Sequence, residues 1–186
     1  MKRFDRPNIN TSAYWDQQYR DRCDVNFRHA LRQQRYLMLV NGARSVVELG
    51  CGLSPFCVFA SHSATVTGLD LSGAAISFLQ RQYPEVTWIV GDALVTPFED
   101  ASFDAVVCGE LIEHLDEPEL LLAEMHRICA PGGRMVLSTP QLEFEDPEHV
   151  WEFSPDYFVG KGFMVDVVSS ELFPGRSYIF AWKGKP

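Results

Sequence analysis

Short apolar runs alternate with helical patterns through the central part of the chain. Five runs have the length and β-branched content of buried strands: residues 45–49, 64–70, 86–90, 103–108 and 134–138. Helical patterns lie between them at about 54–61, 72–82 and 117–129. Because parallel strands need crossover connections, which are usually helices, this alternation predicts a doubly wound α/β fold. We therefore expect a mostly parallel sheet with helices on both faces.

The two ends of the chain depart from this alternation. Strand patterns at 162–168 and 177–182 follow one another without a helix and should pair as a C-terminal antiparallel hairpin. They bring the expected sheet to seven strands. Helical spacing occupies residues 12–40, so we expect an N-terminal helical segment, 1–42, ahead of a sheet domain, 43–186, in one compact unit.

Helix boundaries can also be read from local polar residues. Asp116 stands where a side chain caps a helix, Glu119 stands where it would return the bond, and Pro118 suits a first turn. The pattern predicts a capping box at the start of the helix at 117–129.

The charge balance limits the choice of partners. The formal net charge is −9, and such a surface repels phosphate backbones unless a basic patch offsets it. The densest basic stretch, Arg28, Arg32 and Arg35, has helical spacing, which is typical of a solvated helix face. We therefore expect no nucleic-acid partner.

The lengths of the apolar runs and the number of cysteines indicate the cellular compartment. Every apolar run falls well short of the roughly 20 residues that span a bilayer, and residues 1–7 lack the apolar stretch of a secretory signal. The five cysteines are odd in number and favour reduced thiols over a disulfide framework. We expect a cytoplasmic protein without a membrane partner.

Glycines and carboxylates follow three consecutive predicted strands. Gly50 and Gly52 come after the first strand, where the backbone can turn sharply and approach a ligand. Asp70 ends the second strand, in position to take both hydroxyls of a ribose. Pro55 replaces the third glycine of a pyrophosphate-binding loop. Asp92 ends the third strand and could accept the amine of an adenine, so the pattern favours an adenosine held without phosphates.

Five motifs together carry a family resemblance. They are VVELGCG at 46–52, TGLDLS at 67–72, GDA at 91–93, FDAVVCGELIEHL at 103–115 and RICAPGGRMVLSTP at 127–140. In order and spacing they resemble the class I S-adenosylmethionine-dependent methyltransferases, over about residues 12–182. The resemblance implies a Rossmann-like fold, S-adenosylmethionine as cofactor and S-adenosylhomocysteine as product, with segment 1–42 covering the cofactor site.

The resemblance also implies the cofactor contacts. These are Glu48, Gly50, Cys51 and Gly52 to the methionine half, Asp70 to the ribose, Leu71, Asp92 and Ala93 to the adenine, the backbone of Gly109 and Glu110 to the methionine amine, and Tyr14 and Trp15 as part of a covering helix.

Two carboxylates and two imidazoles mark the reacting side. Glu110, Glu113 and His114 would share one face of a helix, and His149 follows the fifth strand at the same end of the sheet. This E-x-x-E-H pattern with a later histidine resembles metal-dependent methyltransferases of the 2′-hydroxyl at the 3′ end of small RNAs. Many relatives acting on small molecules have a similar E-H pair without metal. The acidic surface favours the second interpretation, so we expect no metal and regard Glu113, His114 and His149 as catalytic candidates.

Three functions remain open at the level of sequence. The leading hypothesis is methyl transfer to an oxygen or nitrogen atom of a small-molecule acceptor. The alternatives are the metal-dependent RNA 2′-O-methyltransferase and a non-catalytic S-adenosylmethionine-binding partner subunit; a nicotinamide dehydrogenase fits less well. The discriminating feature is whether residues 141–158 close over the methyl position, or whether a second copy, in a homodimer, completes the pocket.

Overall fold

A seven-stranded sheet organises the computed structural model, which describes residues 1–20, 30–141, 146–170 and 177–186. The strands are β1 (Lys2–Arg3), β2 (Ser45–Leu49), β3 (Thr65–Asp70), β4 (Thr87–Val90), β5 (Phe103–Gly109), β6 (Cys129–Gln141), β7 (Trp151–Glu152), β8 (Met164–Ser169) and β9 (Ser177–Gly184). The helices are α1 (Ser12–Arg20), α2 (Ala30–Leu39), α3 (Phe56–Ala60), α4 (Gly73–Gln82), α5 (Pro118–Ile128) and α6 (Pro155–Val159), with a 3₁₀ turn at Ile112–His114.

The strand order of the large sheet is β4-β3-β2-β5-β6-β9-β8. Strands β2 to β6 run parallel, whereas β9 is antiparallel to both β6 and β8. The doubly wound fold with a C-terminal antiparallel hairpin is therefore confirmed. The strand order reverses between β2 and β5, and ligands of such sheets bind outside the carboxyl ends of the strands at that point.

The side chains of β2 alternate between two apolar layers. Val46 packs in the layer that contains Tyr36 of α2, whereas Val47 and Leu49 pack in the layer that contains Leu121 of α5. Because a central parallel strand is covered on both faces, its sequence is an almost continuous apolar run. This double burial explains why residues 45–49 could be recognised as a strand.

The start of α5 differs from its prediction. The helix begins at Pro118 as expected, but no side chain caps its N-terminus. Asp116 instead accepts a 2.9 Å hydrogen bond from Arg3, and Glu119 accepts a 2.6 Å bond from Lys161. The predicted capping box is wrong because both carboxylates have cationic partners that are distant in sequence.

The N-terminal segment is anchored to the sheet domain at two places. Strand β1 pairs antiparallel with β7. In α1, Asp16 Oδ1 accepts hydrogen bonds from Ser72 Oγ (2.6 Å) and from the backbone of Ala74 (3.0 Å) at the start of α4. These bonds lower the pKa of Asp16. Of the helical pattern predicted at 12–40, residues 21–29, including Arg28, lie outside the described residues.

The expectations for membrane spans and for cysteines can be compared with the described part of the chain. The helices of that part are all too short or too polar to cross a membrane. Four cysteines are free and buried: Cys51, Cys57, Cys108 and Cys129. Cys23 lies outside the described residues.

Candidate active site

The loop after β2 depends on two glycines. Gly50 and Gly52 have positive φ angles of 68° and 45°. A Cβ atom on Gly50 would lie 2.8 Å from Leu111 Cδ2, and one on Gly52 would lie 2.5 Å from the hydroxyl oxygen of Tyr19. Both the backbone conformation and the close approach of neighbours therefore require glycine here.

Asp70 connects this loop to the start of α4. Its carboxylate accepts a 2.7 Å hydrogen bond from Gly52 N at Oδ2 and a 2.8 Å bond from Ser72 N at Oδ1. Burial raises the pKa of Asp70, although both backbone bonds oppose this shift. Each carboxylate oxygen can accept a further hydrogen bond, so the side chain still has capacity for ligand hydroxyls.

A first cleft opens at the carboxyl ends of β2 to β5. It is lined by Asn10, Trp15, Tyr19, Gly50, Leu69, Asp70, Leu71, Gly91, Asp92, Ala93, Glu110, Leu111, His114 and Leu115. The structure thus brings together the four predicted adenosine contacts, which stand at the ends of β3 and β4: Asp70, Leu71, Asp92 and Ala93. Asp92 is held in place because its Oδ1 accepts a 2.8 Å hydrogen bond from Leu94 N.

A second cleft continues from the first. It is lined by Tyr19, Arg32, Gln33, Tyr36, Glu48, Gly50, Cys51, Gly52, Leu53, Ser54, Gly109 and Glu110. Tyr19, Gly50 and Glu110 line both clefts, so the two form one continuous groove. The remaining predicted contacts to the methionine half, Glu48, Cys51, Gly52 and Gly109, all lie in this second part.

The second cleft contains an ion pair that the sequence did not predict. Arg32 Nη1 lies 3.3 Å from Glu110 Oε2, and the Arg32 side chain is only 17% exposed. Arg32 Nε and Gln33 Oε1 are buried and have no hydrogen-bond partner among the described residues. The interpretation of Arg32 as part of a solvated helix face is therefore wrong. Helical spacing alone could not reveal this, because a solvated stripe has the same pattern.

Glu48 is a buried carboxyl group beneath the same cleft. It is 2% exposed and accepts a 3.1 Å hydrogen bond from Cys57 Sγ. Burial raises the pKa of Glu48 to about 7. A cationic group in the cleft would favour the ionised form of this side chain.

Glu110 does not lie on a helix with Glu113 and His114. It has a positive φ of 54°, and the helical turn begins only at Ile112. Glu110 is directed to Arg32 and to Ser138 Oγ, which donates a 2.6 Å hydrogen bond. The predicted shared helical face is therefore wrong, because this backbone turn separates Glu110 from the other two side chains.

Glu113, His114 and His149 form one cluster. Each offers a potential ligand atom, and these atoms lie within 4.8 Å of one another. His114 Nδ1 is 3.0 Å from the carbonyl oxygen of Glu148, which can only accept, so Nδ1 carries the proton. Burial lowers the pKa of His114, and burial, followed by repulsion from His114 in its protonated form, lowers the pKa of His149 to about 4. Both rings are therefore neutral at pH 7.

Of the two residues of α1 that were predicted to cover the cofactor, only Trp15 lines the first cleft. Trp15 lines the first cleft and meets the ring of His114 edge-on, with ring centroids 5.4 Å apart. Tyr14 is not among the lining residues; its hydroxyl donates a hydrogen bond to Glu148. Burial and this bond raise the pKa of Tyr14 to about 12. Tyr14 therefore ties α1 to the segment that carries His149.

A third pocket lies beside the two clefts. It is lined by Glu110, Pro140, Gln141, Asp146, His149, Ser177 and Tyr178. Residues 142–145 of the segment expected to close the site, including Phe144, lie outside the described residues. Glu110 is the residue that lines both clefts and the third pocket.

Comparisons with known proteins agree with this arrangement. Residues 47–137 match the profile of a family described as methyltransferase domain. A demethylmenaquinone methyltransferase of Renibacterium salmoninarum is 37% identical over 89 residues, covering 48% of this chain and 36% of that protein. An O-methyltransferase of Aspergillus nomiae is 30% identical over 136 residues, covering 68% and 60%. The chain therefore spans less than two thirds of the length of these curated relatives.

The fold has a close structural counterpart. The 1,6-didemethyltoxoflavin-N1-methyltransferase of Burkholderia thailandensis, solved with 1,6-didemethyltoxoflavin and S-adenosylhomocysteine, superposes with a TM-score of 0.75 at 18% identity. The match covers 98% of this chain and 93% of that one. Fold and motifs together define a Rossmann-like methyltransferase domain. The match to the methyltransferase-domain family, the similar methyltransferases and the fold together support a class I S-adenosylmethionine-dependent methyltransferase.

Proposed function

We propose that this protein binds S-adenosylmethionine along the two clefts and transfers its methyl group to an oxygen or nitrogen atom of a small-molecule acceptor. The observation that carries the proposal is the position of Glu110, which lines both clefts and the third pocket. A cofactor in the clefts and an acceptor in the third pocket would meet there.

The first cleft suits the adenosine half of the cofactor. Asp70 would accept hydrogen bonds from the ribose hydroxyls, Asp92 and Ala93 would meet the adenine edge, and Leu71 would flank the ring. These carboxylates bind the cofactor away from its sulfonium, which loses its positive charge as the methyl leaves. They therefore avoid stabilising the ground state more than the transition state.

The second cleft suits the methionine half. Its carboxyl groups, Glu48 and Glu110, offer acceptors for the amine, while the guanidinium of Arg32 offers donors for the carboxylate. Gly50 and Gly52 let the backbone approach the ligand closely. The product, S-adenosylhomocysteine, would keep all these contacts because it differs only by the transferred methyl.

The third pocket would hold the acceptor in line with the methyl. A lone pair of the acceptor atom attacks the methyl carbon, the carbon–sulfur bond breaks, and its electrons remain on sulfur. Neutral His149 can accept a hydrogen bond from an acceptor hydroxyl or amine and orient that atom for attack. A pKa of about 4 makes His149 too weak a base to retain the proton, which would pass on to water.

Two of the similar proteins are named for an oxygen or nitrogen acceptor, and another protein of similar fold is named as a geranyl diphosphate C-methyltransferase. The Aspergillus relative is named as an O-methyltransferase and the Burkholderia structure as an N1-methyltransferase. The net charge of −9 disfavours a polynucleotide acceptor. A small molecule is also the acceptor that a pocket with few lining residues can enclose.

The direct test has a binding arm and a turnover arm. Calorimetry with S-adenosylhomocysteine should give one site per chain. Incubation with S-adenosylmethionine and a panel of small hydroxyl and amine compounds should give a methylated product with an equal amount of S-adenosylhomocysteine. Absence of cofactor binding would refute the proposal, and binding without turnover on any acceptor class would favour the non-catalytic partner subunit.

A further inference from the structure

An apolar groove of about 320 Å³ lies between α2 and the β8–β9 hairpin. Six of the ten described residues that line it are apolar or aromatic, and one of them, Met38 on α2, is 74% exposed. Contiguous apolar surface that is concave and open to solvent is typical of a binding site. The six residues are Met38, Leu39, Val168, Tyr178, Phe180 and Trp182.

The walls of the groove are held in place by the core beneath them. Phe180 is buried and packs against Tyr36, with ring centroids 5.6 Å apart. Val168 and Trp182 are partly buried against the same apolar layer. The guanidinium of Arg32 lies over the ring of Tyr178, 5.5 Å from its centroid. The groove is therefore formed before any ligand binds, which lowers the entropic cost of binding.

The groove is continuous with the proposed reaction site. Tyr178 lines both the groove and the third pocket. In the sheet, Tyr178 pairs with Pro140 of β6, which also lines the third pocket. Arg32 lines both the groove and the second cleft. The groove therefore reaches the place where acceptor and methyl group would meet.

We infer that the methyl acceptor is an amphiphile, in which a polar reacting group is joined to a hydrocarbon chain that lies in the groove. This inference rests on the proposed function and adds the class of its substrate. The polar group would occupy the third pocket beside His149, and the chain would pass the ring of Tyr178 to reach Val168 and Trp182.

The volumes and the lining chemistry both fit a ligand of two parts. The third pocket, at about 160 Å³, is smaller than the roughly 300–1,000 Å³ of most ligand pockets, and the groove supplies the missing space. Glu110, Asp146 and His149 offer polar atoms in the third pocket. In the groove, a hydrocarbon chain would cover the exposed side chain of Met38 and the half-buried ring of Trp182, and removal of this apolar surface from water favours binding.

Two homologous series of probes test the inference without any turnover. The probes are 4-alkylphenols and 4-alkylanilines with chains from methyl to octyl, titrated by calorimetry with and without S-adenosylhomocysteine. We expect the affinity of at least one series to rise with chain length, by up to roughly fourfold per methylene group that leaves water.

Two groove variants and one control locate the chain. Met38→Glu, which places a charge on the groove wall, should weaken binding of the octyl probe roughly tenfold and leave binding of the methyl probe unchanged. Val168→Ala, which removes contact area from the opposite wall, should act in the same direction. Leu120→Glu is the matched control, because Leu120 is an exposed apolar residue of α5 on the other face of the sheet, and it should bind both probes like the wild type.

The outcomes separate this inference from the proposed function. Affinity that does not depend on chain length, a dependence that both groove variants retain, or failure of both series to bind would overturn the inference. A dimer that Met38→Glu dissociates without changing probe binding would assign the groove to a second copy of the chain and would also overturn it. Affinity for S-adenosylhomocysteine should be equal in the wild type and both groove variants. Its absence in the wild type would refute the proposed function, while the titrations without S-adenosylhomocysteine would still decide whether the groove binds apolar chains.

Discussion

The carboxylate of Asp70 accepts a 2.7 Å hydrogen bond from the backbone N–H of Gly52. This bond joins the end of β3 to the loop after β2, so the acidic group and the glycine loop hold each other in position. Each was singled out separately in the sequence, at a separation of 18 residues. Because of this bond, a substitution of either residue should alter the position of the other and so the shape of the cofactor cleft.

Replacement of Asp70 by Asn or Ala should weaken binding of S-adenosylhomocysteine by about 1–3 kcal/mol, through loss of charge-assisted hydrogen bonds to the ribose. Calorimetry measures the change directly. Glu85→Gln, which removes an exposed acid outside both clefts, is the control for the altered net charge. Equal affinities of the folded Asp70 variants and the wild type would exclude Asp70 as the ribose ligand.

Gly52→Ala should weaken binding of S-adenosylhomocysteine as well as folding. The added Cβ would meet Tyr19 at 2.5 Å, in addition to the strain of a positive φ. Gly42→Ala is the matched control, because Gly42 has a φ of 87° but open space around its Cβ position. Both variants should lose about 1 kcal/mol or more of stability in urea unfolding. A loss of affinity in both variants alike would contradict a specific role for the Gly52 contact.

Arg32→Gln should reduce affinity for S-adenosylhomocysteine by roughly tenfold, since a charge-assisted bond to the ligand carboxylate is lost. The control is Arg35→Gln, three residues later on α2, where the arginine pairs with Asp166 and lies outside both clefts. Calorimetry on the two variants compares them directly. If Arg32→Gln bound S-adenosylhomocysteine as tightly as Arg35→Gln, Arg32 would only neutralise the charge of Glu110 and would not contact the ligand.

The stability of the protein should depend on Glu48 between pH 4.5 and about 7. Burial raises the pKa of Glu48 to about 7 in the folded state, so the folded state binds this proton more tightly than the unfolded state. Stability therefore falls as pH rises through this window, by at most about 3.5 kcal/mol at about 1.4 kcal/mol per pKa unit.

Urea unfolding of the wild type and of Glu48→Gln at both ends of the window isolates this contribution. Other buried acids, such as Glu113, titrate in both proteins and cancel in the comparison. The free energy of unfolding of Glu48→Gln should decline less with pH than that of the wild type. Parallel declines would show that Glu48 is not responsible for the loss.

Much of the fold was readable from local pattern. The apolar run at 45–49 and its successors could be recognised because a central parallel strand is buried on both faces. Their alternation with helices left few topologies open. Capping was less predictable: Asp116 and Glu119 have the right spacing, but Arg3 and Lys161 approach from distant parts of the chain.

The adenosine part of the site follows from sequence for the same reason. Gly50, Asp70 and Asp92 each stand directly after a strand, and parallel strands end at one edge of the sheet, so strand order alone brings them together. Their spacing carries the information because each lies at a fixed place relative to a regular element.

Only the tertiary structure decided the roles of the remaining charged residues. Arg32 is a cleft residue because α2 lines the second cleft opposite the loops after β2 and β5, where Arg32 pairs with Glu110. Glu110 leaves the Glu113–His114 cluster because its backbone turns to a positive φ. His149 meets His114 across 35 residues of chain, with ring centroids 5.1 Å apart. Electrostatic pairing and proximity depend on distances in space, and local sequence periodicity does not encode those distances between separate elements.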